Sequence, residues 1–333
     1  PMIKNEIGSE FWSVQVKDVP NHFFPKNTQW FLSGRSALTY ILKDIIKKST
    51  VHTVALPSWC CESMIIPFLK AGLKVYFYPV YFFGGHLVQE PDLTCDVILV
   101  MDYFGYASSR DYSSYPGTVI RDLTHSIFSG FHQDADYYFG SLRKWSGFLT
   151  GGFAWGEQLL PANILVPDRD YVHLRQQAML QKKMYMEGKC TDKVYLRMFG
   201  NAEERLDTIH AVQGADDTDI ANASMLDIEY IKKRRRENAT VLLNSIREMA
   251  VFPEPKDSDC PLFVPIYLKE RDKLKKHLIQ NHVYCPVHWP VSQYHSLEKK
   301  CQELYDREIS LVCDQRYSAQ DMEYICELIK TGV

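Results

Sequence analysis

Short apolar runs and helix-period segments alternate along the chain between residues 33 and 156. Ser33 can cap a helix whose apolar residues, from Ala37 to Ile45, recur on one face at the 3.6-residue period. This helix should end near Lys47 and Lys48. The strands predicted after it are His52–Leu56, Val75–Tyr78, Val97–Met101, Thr118–Arg121, Tyr137–Phe139 and Gly152–Trp155, with a helix at Ser63–Ala71 between the first two. Such alternation predicts βαβ units around a mainly parallel sheet.

The remainder of the chain is first helical and then mixed. Residues 157–245 are polar and helix-like, and a charged helix is predicted at Ile228–Met249. Its basic run Lys232–Arg236 is interpreted as a solvated helix face in preference to an anion site. The elements predicted after Pro253 are a strand at Leu262–Leu268, a helix at Arg271–Gln280, a strand at Ile309–Cys313 and a last helix with a capping box of Ser318 and Asp321. We predict two domains, 1–240 and 241–333.

Charge and composition exclude several classes of partner. The 333 residues include 38 Lys and Arg against 41 Asp and Glu, a net charge of −3, so no positive field attracts nucleic acid. The most apolar stretches, near Val51–Cys61 and Val75–Phe83, contain prolines and are shorter than the roughly 20 residues of a membrane helix. Nine cysteines without a paired CxxC array and without metal-ligand spacing predict free thiols and no metal. With no apolar leader, we expect a cytoplasmic protein without a membrane partner.

A lysine lies on a polar turn directly after a predicted strand. The segment Tyr137-Tyr-Phe-Gly-Ser-Leu-Arg-Lys-Trp-Ser-Gly carries Ser141 three residues before Lys144. In this arrangement a serine hydroxyl can bind a phosphate while the lysine amine reaches a carbonyl carbon. An exposed loop lysine beside a turn serine is the alternative.

Two further positions agree with that chemistry. Asp122 ends the predicted strand at Thr118–Arg121, where open α/β sheets bind ligands. A carboxylate buried there needs a cationic partner such as a protonated pyridine nitrogen, although a pair with Arg121 or a helix cap would also satisfy it. Gly34 precedes a helix whose first amide groups and dipole attract phosphate, and Arg35 can add a guanidinium contact. A tight turn with no ligand is the alternative for Gly34.

The order of these motifs resembles the fold-type I pyridoxal phosphate enzymes, and among them the DegT-type aminotransferases that act on nucleotide-linked keto sugars. The matching segments are Ser33-Gly-Arg-Ser-Ala-Leu, Leu56-Pro-Ser-Trp-Cys-Cys, Asp102-Tyr-Phe-Gly, Arg121-Asp-Leu-Thr-His, Ser141-Leu-Arg-Lys, Tyr284-Cys-Pro-Val-His-Trp-Pro and Ile309-Ser-Leu-Val-Cys. The resemblance implies a mainly parallel seven-stranded sheet with helices on both faces and a smaller C-terminal α/β domain. It also implies the cofactor pyridoxal 5′-phosphate (PLP) and a homodimer with active sites at the subunit interface.

The resemblance also implies a role for each matching residue. Lys144 would form the Schiff base, Asp122 would hold the pyridinium nitrogen, and His125 would touch the ring hydroxyl. The phosphate would lie between Ser141 and the backbone of the residues that open the phosphate helix, Gly34, Arg35 and Ser36. The slot that normally holds an aromatic ring stacked on the cofactor is Cys61, and Trp59 lies two residues earlier.

The implied reaction is amino transfer from an amino acid, with glutamate expected as donor, to a keto sugar used in polysaccharide or glycoconjugate biosynthesis. His288 and Arg316 are candidate substrate-binding residues, with side-chain packing and a surface salt bridge as their respective alternatives. Two other functions remain open at this point. One is another PLP reaction, such as a lyase or a decarboxylase, on a substrate that is not a sugar. The other is ligand binding by a PLP-type scaffold without turnover.

Overall fold

The computed structural model describes residues 6–92, 94–130, 132–163 and 165–332. The chain forms two compact units, each made of separate segments. The first unit contains Glu10–Asp44 and Tyr137–Ile228, and the second contains Glu6–Ser9, Ile45–Asp136 and the chain from Glu229 onward. The predicted domain boundary between residues 240 and 241 stays a prediction, and it falls within the helix at Ile228–Ile246.

The helices, numbered in chain order, are α1 (Gly34–Lys48), α2 (Glu62–Lys70), α3 (Arg169–Met186), α4 (Val194–Thr208), α5 (Asp217–Met225), α6 (Ile228–Ile246), α7 (Arg271–Gln280), α8 (Lys299–Arg307) and α9 (Ala319–Gly332). The strands are β1 (Ile7–Gly8), β2 (Gln29–Phe31), β3 (Thr53–Pro57), β4 (Lys74–Tyr78), β5 (Val80–Phe83), β6 (His86–Gln89), β7 (Val97–Met101), β8 (Thr118–Asp122), β9 (Tyr137–Ser141), β10 (Gly152–Trp155), β11 (Phe263–Tyr267), β12 (Val283–Tyr284) and β13 (Glu308–Val312).

In the first unit, β10 pairs antiparallel with β2 and with β9. Gly152 of β10 lies opposite Phe31 on one side and Ser141 on the other. The first unit also contains α3, whose N-cap Asp168 accepts a hydrogen bond from the Tyr171 N–H at 2.8 Å. Buried residues of α3 and α4 form a small core with Leu32 next to β2. These contacts fix the ends of β9 and α1, where several of the predicted site residues lie.

In the second unit, β3 pairs with β4 and β7, and β7 pairs with β8, all in parallel. Every residue of β7 is buried, as expected of a strand covered on both faces. Met101 at the end of β7 lies opposite Asp122 at the end of β8. Parallel strands align their carboxyl ends, so the residues that follow β3, β7 and β8 leave the same edge of the sheet.

A second, smaller core of this unit surrounds the antiparallel pair of β11 and β13. Apolar residues of α6, α7 and α9 pack on this pair. The predicted cap of the last helix is present: Asp321 accepts hydrogen bonds from the Ser318 N–H at 2.7 Å and from the Ser318 hydroxyl at 2.8 Å. The predicted helix at Arg271–Gln280 is confirmed with the same bounds.

The predicted fold class is confirmed. Among the described residues, the large sheet has seven strands. The hairpin of β5 and β6 was missed, although its two-residue Gly84-Gly85 turn, with φ of +59° and +84°, is a typical hairpin turn. The interpretation of the basic run as a solvated face is wrong for Arg235, which is fully buried. Within the described residues, no helix is long and apolar enough to cross a membrane.

Candidate functional site

The turn after β9 fixes the position of the predicted catalytic lysine. Leu142 and Trp145 have no exposed surface, and the Leu142 N–H donates to the Gly151 carbonyl at 2.9 Å. The short 3₁₀ turn Leu142–Lys144 is therefore anchored on both sides of Lys144. Lys144 itself is exposed. Its amine projects from a rigid support and remains accessible to a ligand.

A network of charges supports the other side of the same turn. Arg143 forms a hydrogen-bonded ion pair with Glu203 of α4. The buried Arg175 of α3 lies 3.5 Å from the same carboxylate and 3.1 Å from Glu10. Burial alone would raise the pKa of Glu10, but the positive charges of Arg175 and Arg143 lower it well below its usual value. The network thus fixes Arg143 as a structural residue and leaves Lys144 as the accessible cation of the turn.

The start of α1 lies against the end of β9. A Cβ built on Gly34 would lie 3.5 Å from the Cβ of Ser141, which is ordinary van der Waals distance. Gly152 is opposite Ser141, and a Cβ on it would lie 2.2 Å from the Ser33 carbonyl oxygen, so only glycine fits between them. The Ser33 hydroxyl accepts a hydrogen bond from the Ser36 N–H at 3.2 Å and caps the helix as predicted. The N-terminus of α1 and the side chain of Ser141 are therefore neighbours in the first unit.

Arg35 lies in the first turn of α1, and part of its guanidinium group is paired with another residue. Its guanidinium forms a 2.9 Å ion pair with Asp207 of α4, at the surface. The Nε atom of Arg35 is buried and has no hydrogen-bond partner among the described residues. A buried donor without an acceptor is uncommon and points to an absent ligand or water.

Asp122 is buried at the carboxyl end of β8. Its Oδ1 accepts a hydrogen bond from the Thr124 N–H at 2.7 Å. The alternative pair with Arg121 is not formed: Arg121 donates to Asp134 at 3.0 Å and lies 3.5 Å from Asp102. Neighbouring strand residues face opposite sides of a sheet, which explains why the two side chains of the Arg-Asp pair separate.

Six aromatic and imidazole rings pack together beside this edge, and we call them the ring cluster: Trp59, Tyr103, Phe104, His125, His288 and Trp289. His125 Nδ1 accepts a hydrogen bond from the Phe104 N–H at 3.4 Å, so a neutral His125 carries its proton on Nε2. The His125 ring lies 5.5 Å from the Trp289 ring, nearly parallel to it, and 5.7 Å from the His288 ring. The predicted residues His125 and His288 are thus neighbours.

Trp59 and Trp289 differ in their exposure. Trp59 has no exposed surface, stacks on Tyr103 at 4.8 Å and donates from Nε1 to the His288 carbonyl at 2.6 Å. Its ring is therefore committed to packing within the second unit. Trp289 is half-buried and stacks on His125, so it offers ring surface to a ligand that Trp59 does not.

The remaining two predicted residues have contacts of their own. Cys61 is half-buried at the N-cap of α2, with its sulfur 3.0 Å from the Ser63 hydroxyl oxygen. Arg316 donates twice to Asp314 at 2.8 Å and once to the Ser9 carbonyl at 3.1 Å. The salt bridge weighed as the alternative for Arg316 is therefore present, and both of its side chains are largely buried.

Solved structures with a similar fold were found, whereas no protein-family model matches the sequence and no curated protein is similar to it. A DegT DnrJ EryC1 StrS aminotransferase from Brucella abortus has 16% identity and a TM-score of 0.61, over 91% of this chain and 85% of that one. PseC of Helicobacter pylori, an aminotransferase involved in the biosynthesis of pseudoaminic acid, has 14% identity and a TM-score of 0.62, over 97% and 99%. Spr1654 of Streptococcus pneumoniae in its PLP form has 15% identity and a TM-score of 0.59, over 91% and 86%.

The chain has the fold of the DegT-type aminotransferases. These similarities cover nearly the whole of each chain, so the fold is shared throughout. Within that fold, the predicted residues fall in both units. The first unit contains Gly34, Arg35, Ser36, Ser141 and Lys144, and the second contains Trp59, Cys61, Asp122, His125, His288 and Arg316.

Sequence reasoning missed several residues around the candidate site. Tyr103 and Phe104 of the ring cluster lie within the matching segment Asp102-Tyr-Phe-Gly but were not assigned a role. Glu308 and Ser310 contact His288 from β13, where every residue is buried. Their signal was available, because polar residues two apart within an apolar strand share one buried face.

Proposed function

We propose that this protein is a PLP-dependent aminotransferase that transfers an amino group from glutamate to a nucleotide-linked keto sugar, in the synthesis of a polysaccharide or glycoconjugate. The observation that carries the proposal is the meeting of the α1 N-terminus with Ser141, followed by the exposed Lys144 on an anchored turn. The shared fold and the PLP form of the pneumococcal protein support it.

The residues of the first unit fit the phosphate end of this cofactor. Amide groups of the first turn of α1 have no intrahelical acceptor and favour an anion. Ser141 adds a hydroxyl beside Gly34, and the buried Nε of Arg35 adds a donor without a hydrogen-bond partner among the described residues. We propose that Gly34, Arg35, Ser36 and Ser141 hold the phosphate.

The residues of the second unit fit the ring end. Asp122 is a buried carboxylate at the carboxyl end of β8, so it suits a protonated ring nitrogen. His125 is oriented by the Phe104 N–H to donate from Nε2, which suits the ring hydroxyl. Trp289 is a better candidate than Trp59 or Cys61 for ring contact, because its surface is half-exposed and it stacks on His125. We propose that these residues bind the cofactor ring.

When bound, PLP supplies an electron sink for the carbanion formed at the substrate carbon. Lys144 would bind the cofactor covalently and, once released from it, hold a proton at Nζ and move it between two carbon atoms. Its anchored turn fixes the backbone of Lys144, which limits the region that Nζ can reach and lowers the entropic cost of the proton transfer. Asp122 would keep the ring nitrogen protonated. His288 would face the substrate, and Arg316 remains a proposed contact of its anionic part.

The test separates amino transfer from the other functions. Purified protein with PLP is mixed with glutamate alone, and the cofactor spectrum is followed. Conversion to the pyridoxamine form supports transamination, and nucleotide-linked keto sugars are then screened for amino-sugar products by mass spectrometry. An unchanged spectrum with every amino donor, together with decarboxylated or eliminated products, would identify a lyase or a decarboxylase instead. A protein that does not bind PLP at all would point to a scaffold without this chemistry.

We also propose a cytoplasmic homodimer with its active sites at the subunit interface, as the resemblance implies. Sedimentation measurements give the oligomeric state. A mixture of inactive Lys144→Ala and Asp122→Ala proteins, dissociated and reassembled together, shows whether one site draws on both subunits. Recovery of part of the activity would show that Lys144 and Asp122 of one site come from different chains, and a persistent lack of activity would place these two residues of a site in the same chain.

A further inference from the structure

Glu308 is a buried carboxylate that the proposed function does not use. It begins β13, where it has no exposed surface, and Ser310 lies two residues further on the same face of the strand. Ionisable groups this deep in an apolar core are costly unless they are hydrogen-bonded. The contacts of Glu308 therefore need a specific explanation.

Both oxygens of this carboxylate are directed toward His288. Oε2 accepts a hydrogen bond from the His288 backbone N–H at 2.8 Å, and Oε1 is hydrogen-bonded to the Ser310 hydroxyl. The same hydroxyl lies 2.9 Å from His288 Nδ1, whereas Nδ1 and Oε1 are 3.9 Å apart. Ser310 therefore bridges the carboxyl group and the imidazole ring, which make no direct hydrogen bond.

With a neutral imidazole, the bridge has only two consistent arrangements of protons, because a serine hydroxyl donates one proton. If Glu308 is ionised, Ser310 donates to it, His288 donates from Nδ1 to Ser310, and Nε2 is an acceptor. If Glu308 is protonated, the proton must be on Oε1, because Oε2 already accepts from the backbone. Ser310 then accepts from Glu308 and donates to Nδ1, so the ring proton is on Nε2.

The surroundings keep both arrangements accessible. Burial raises the pKa of Glu308 to about 8, despite hydrogen bonds from Ser310 and the His288 N–H and the positive charges of Arg271 and Lys275 on α7. The Cys285 thiol, whose pKa burial also raises, is a further titratable neighbour. The His288 ring itself is packed against four rings, those of Phe104, His125, Phe263 and Trp289.

We infer that Glu308, Ser310 and His288 form a buried proton relay that sets whether Nε2 of His288 donates or accepts a hydrogen bond. A proton taken up at Nε2 releases the Nδ1 proton to Ser310, whose own proton passes to Glu308. Bonds to hydrogen form at Nε2, at the Ser310 oxygen and at the Glu308 oxygen, and the original bonds at Nδ1 and at the Ser310 oxygen break. One proton enters in total, and the ring stays neutral. Glu308 and Ser310 are positioning residues that act through His288.

This inference deepens the proposed function and depends on it only for the ligand. If the substrate is a keto sugar, Nε2 can donate to its carbonyl oxygen in one state and accept from a hydroxyl in the other. His288 stays uncharged in both states, which suits its enclosure among aromatic rings.

Nuclear magnetic resonance of histidine-labelled protein tests the relay directly. Long-range proton–nitrogen spectra of the ¹⁵N-histidine protein are recorded from about pH 6 to about pH 10. This range is centred on the pKa of Glu308, which is about 8. We expect neutral His288 to change from the Nε2–H tautomer at low pH to the Nδ1–H tautomer at high pH. A single tautomer throughout, or a charged imidazolium at low pH, would overturn the inference.

Two pairs of variants provide the controls. In Glu308→Gln, the side-chain oxygen must accept the hydrogen bond from the His288 backbone N–H, so the side-chain NH₂ group donates to the Ser310 oxygen. The Ser310 hydroxyl then donates to Nδ1 of His288, and the neutral ring keeps its proton on Nε2 at every pH. Asp306→Asn changes an exposed carboxyl group two residues earlier in the chain, on α8, and should leave the wild-type titration unchanged. If Glu308→Gln does not fold, Ser310→Ala should uncouple the tautomer from the carboxyl group, and Ser310→Thr should restore the coupling. An unchanged titration in Ser310→Ala contradicts the relay.

The relay and the proposed function can fail separately. The tautomer is measured without substrate, so a failed titration in a protein that converts glutamate and PLP rejects only the relay. A normal titration in a protein that does not react with glutamate rejects only the proposed function.

Discussion

Replacing Gly152 by alanine tests the packing that joins the start of α1 to the end of β9. The new Cβ would lie 2.2 Å from the carbonyl oxygen of Ser33 and 2.3 Å from its carbonyl carbon. These are backbone atoms of the residue that caps α1, and β10 is fixed by pairing on both sides. Neither partner can move away as a flexible side-chain end could.

The magnitude follows from the overlap. Ordinary contacts of a Cβ begin near 3.4 Å, so the backbone must separate by more than 1 Å. Forcing atoms into a packed site costs about 1–3 kcal/mol, and a displacement of this size belongs to the upper end of that range. Gly200 is the matched control, because it is exposed on α4 and a Cβ there meets nothing within 4 Å. Gly200→Ala should stabilise the protein by about 0.4–1 kcal/mol.

Urea unfolding of the two variants measures this difference, and PLP titration measures its effect on the site. We expect Gly152→Ala to unfold at lower urea and to bind PLP at least tenfold more weakly, since Ser33 and Ser141 both contact Gly152. Gly200→Ala should keep the wild-type affinity. A Gly152→Ala protein as stable as the wild type, with unchanged PLP binding, would refute the close approach between β10 and Ser33.

Three other substitutions have defined outcomes. Arg235→Met should cost about 3 kcal/mol or more in urea unfolding, because buried acceptors on Gln315, Pro261 and Leu262 lose their donor. Arg234→Met, at a half-buried position that pairs with Glu237 in the same helix, should change stability by less than about 0.5 kcal/mol. Ser141→Ala should weaken PLP binding about tenfold in a fluorescence titration, with unchanged affinity contradicting its phosphate contact. The stability difference between wild type and Glu308→Gln should depend on pH. The pKa of Glu308 is raised from 4.5 to about 8 in the folded protein, so between these two pH values the folded state keeps a proton that the unfolded chain has lost. The free energy of unfolding of the wild type therefore falls relative to that of the variant as the pH rises through this range, by up to about 1.4 kcal/mol per pH unit. A flat difference in urea unfolding would show that Glu308 titrates normally.

Local pattern was sufficient for most of the fold. The apolar runs of β7 and β10 and the helix periods of α1 and α7 depend on residues close in sequence, and their predicted bounds agree with the structure to within a residue or two. The basic run of α6 shows the limit of such reasoning. Charge composition alone suggests a solvated face, but Arg235 is fully buried because distant carbonyl groups and Gln315 happen to face it. Only the helix period distinguishes Arg235 from Arg234, since Arg235 lies four residues from both Ile231 and Ala239, which are buried on the same face.

Some features of the candidate site could likewise be predicted from the sequence, and others could not. The turn carrying Ser141 and Lys144 and the strand end at Asp122 could be placed from motif and sheet topology. The partners of Arg35, Arg121 and Arg316 could not, because each ion pair depends on side-chain directions that a sequence does not specify. The exposure of Trp289 in preference to Trp59 is also a product of tertiary packing.

Covalent trapping tests the central claim most directly. The purified protein is incubated with PLP, reduced with borohydride and digested, and the modified peptide is identified by mass spectrometry. The account predicts a reduced phosphopyridoxyl group on Lys144, its loss in Lys144→Ala, and its retention in Lys183→Ala, which removes an exposed lysine of α3. Modification at another lysine, or full glutamate turnover by Lys144→Ala, would contradict the account.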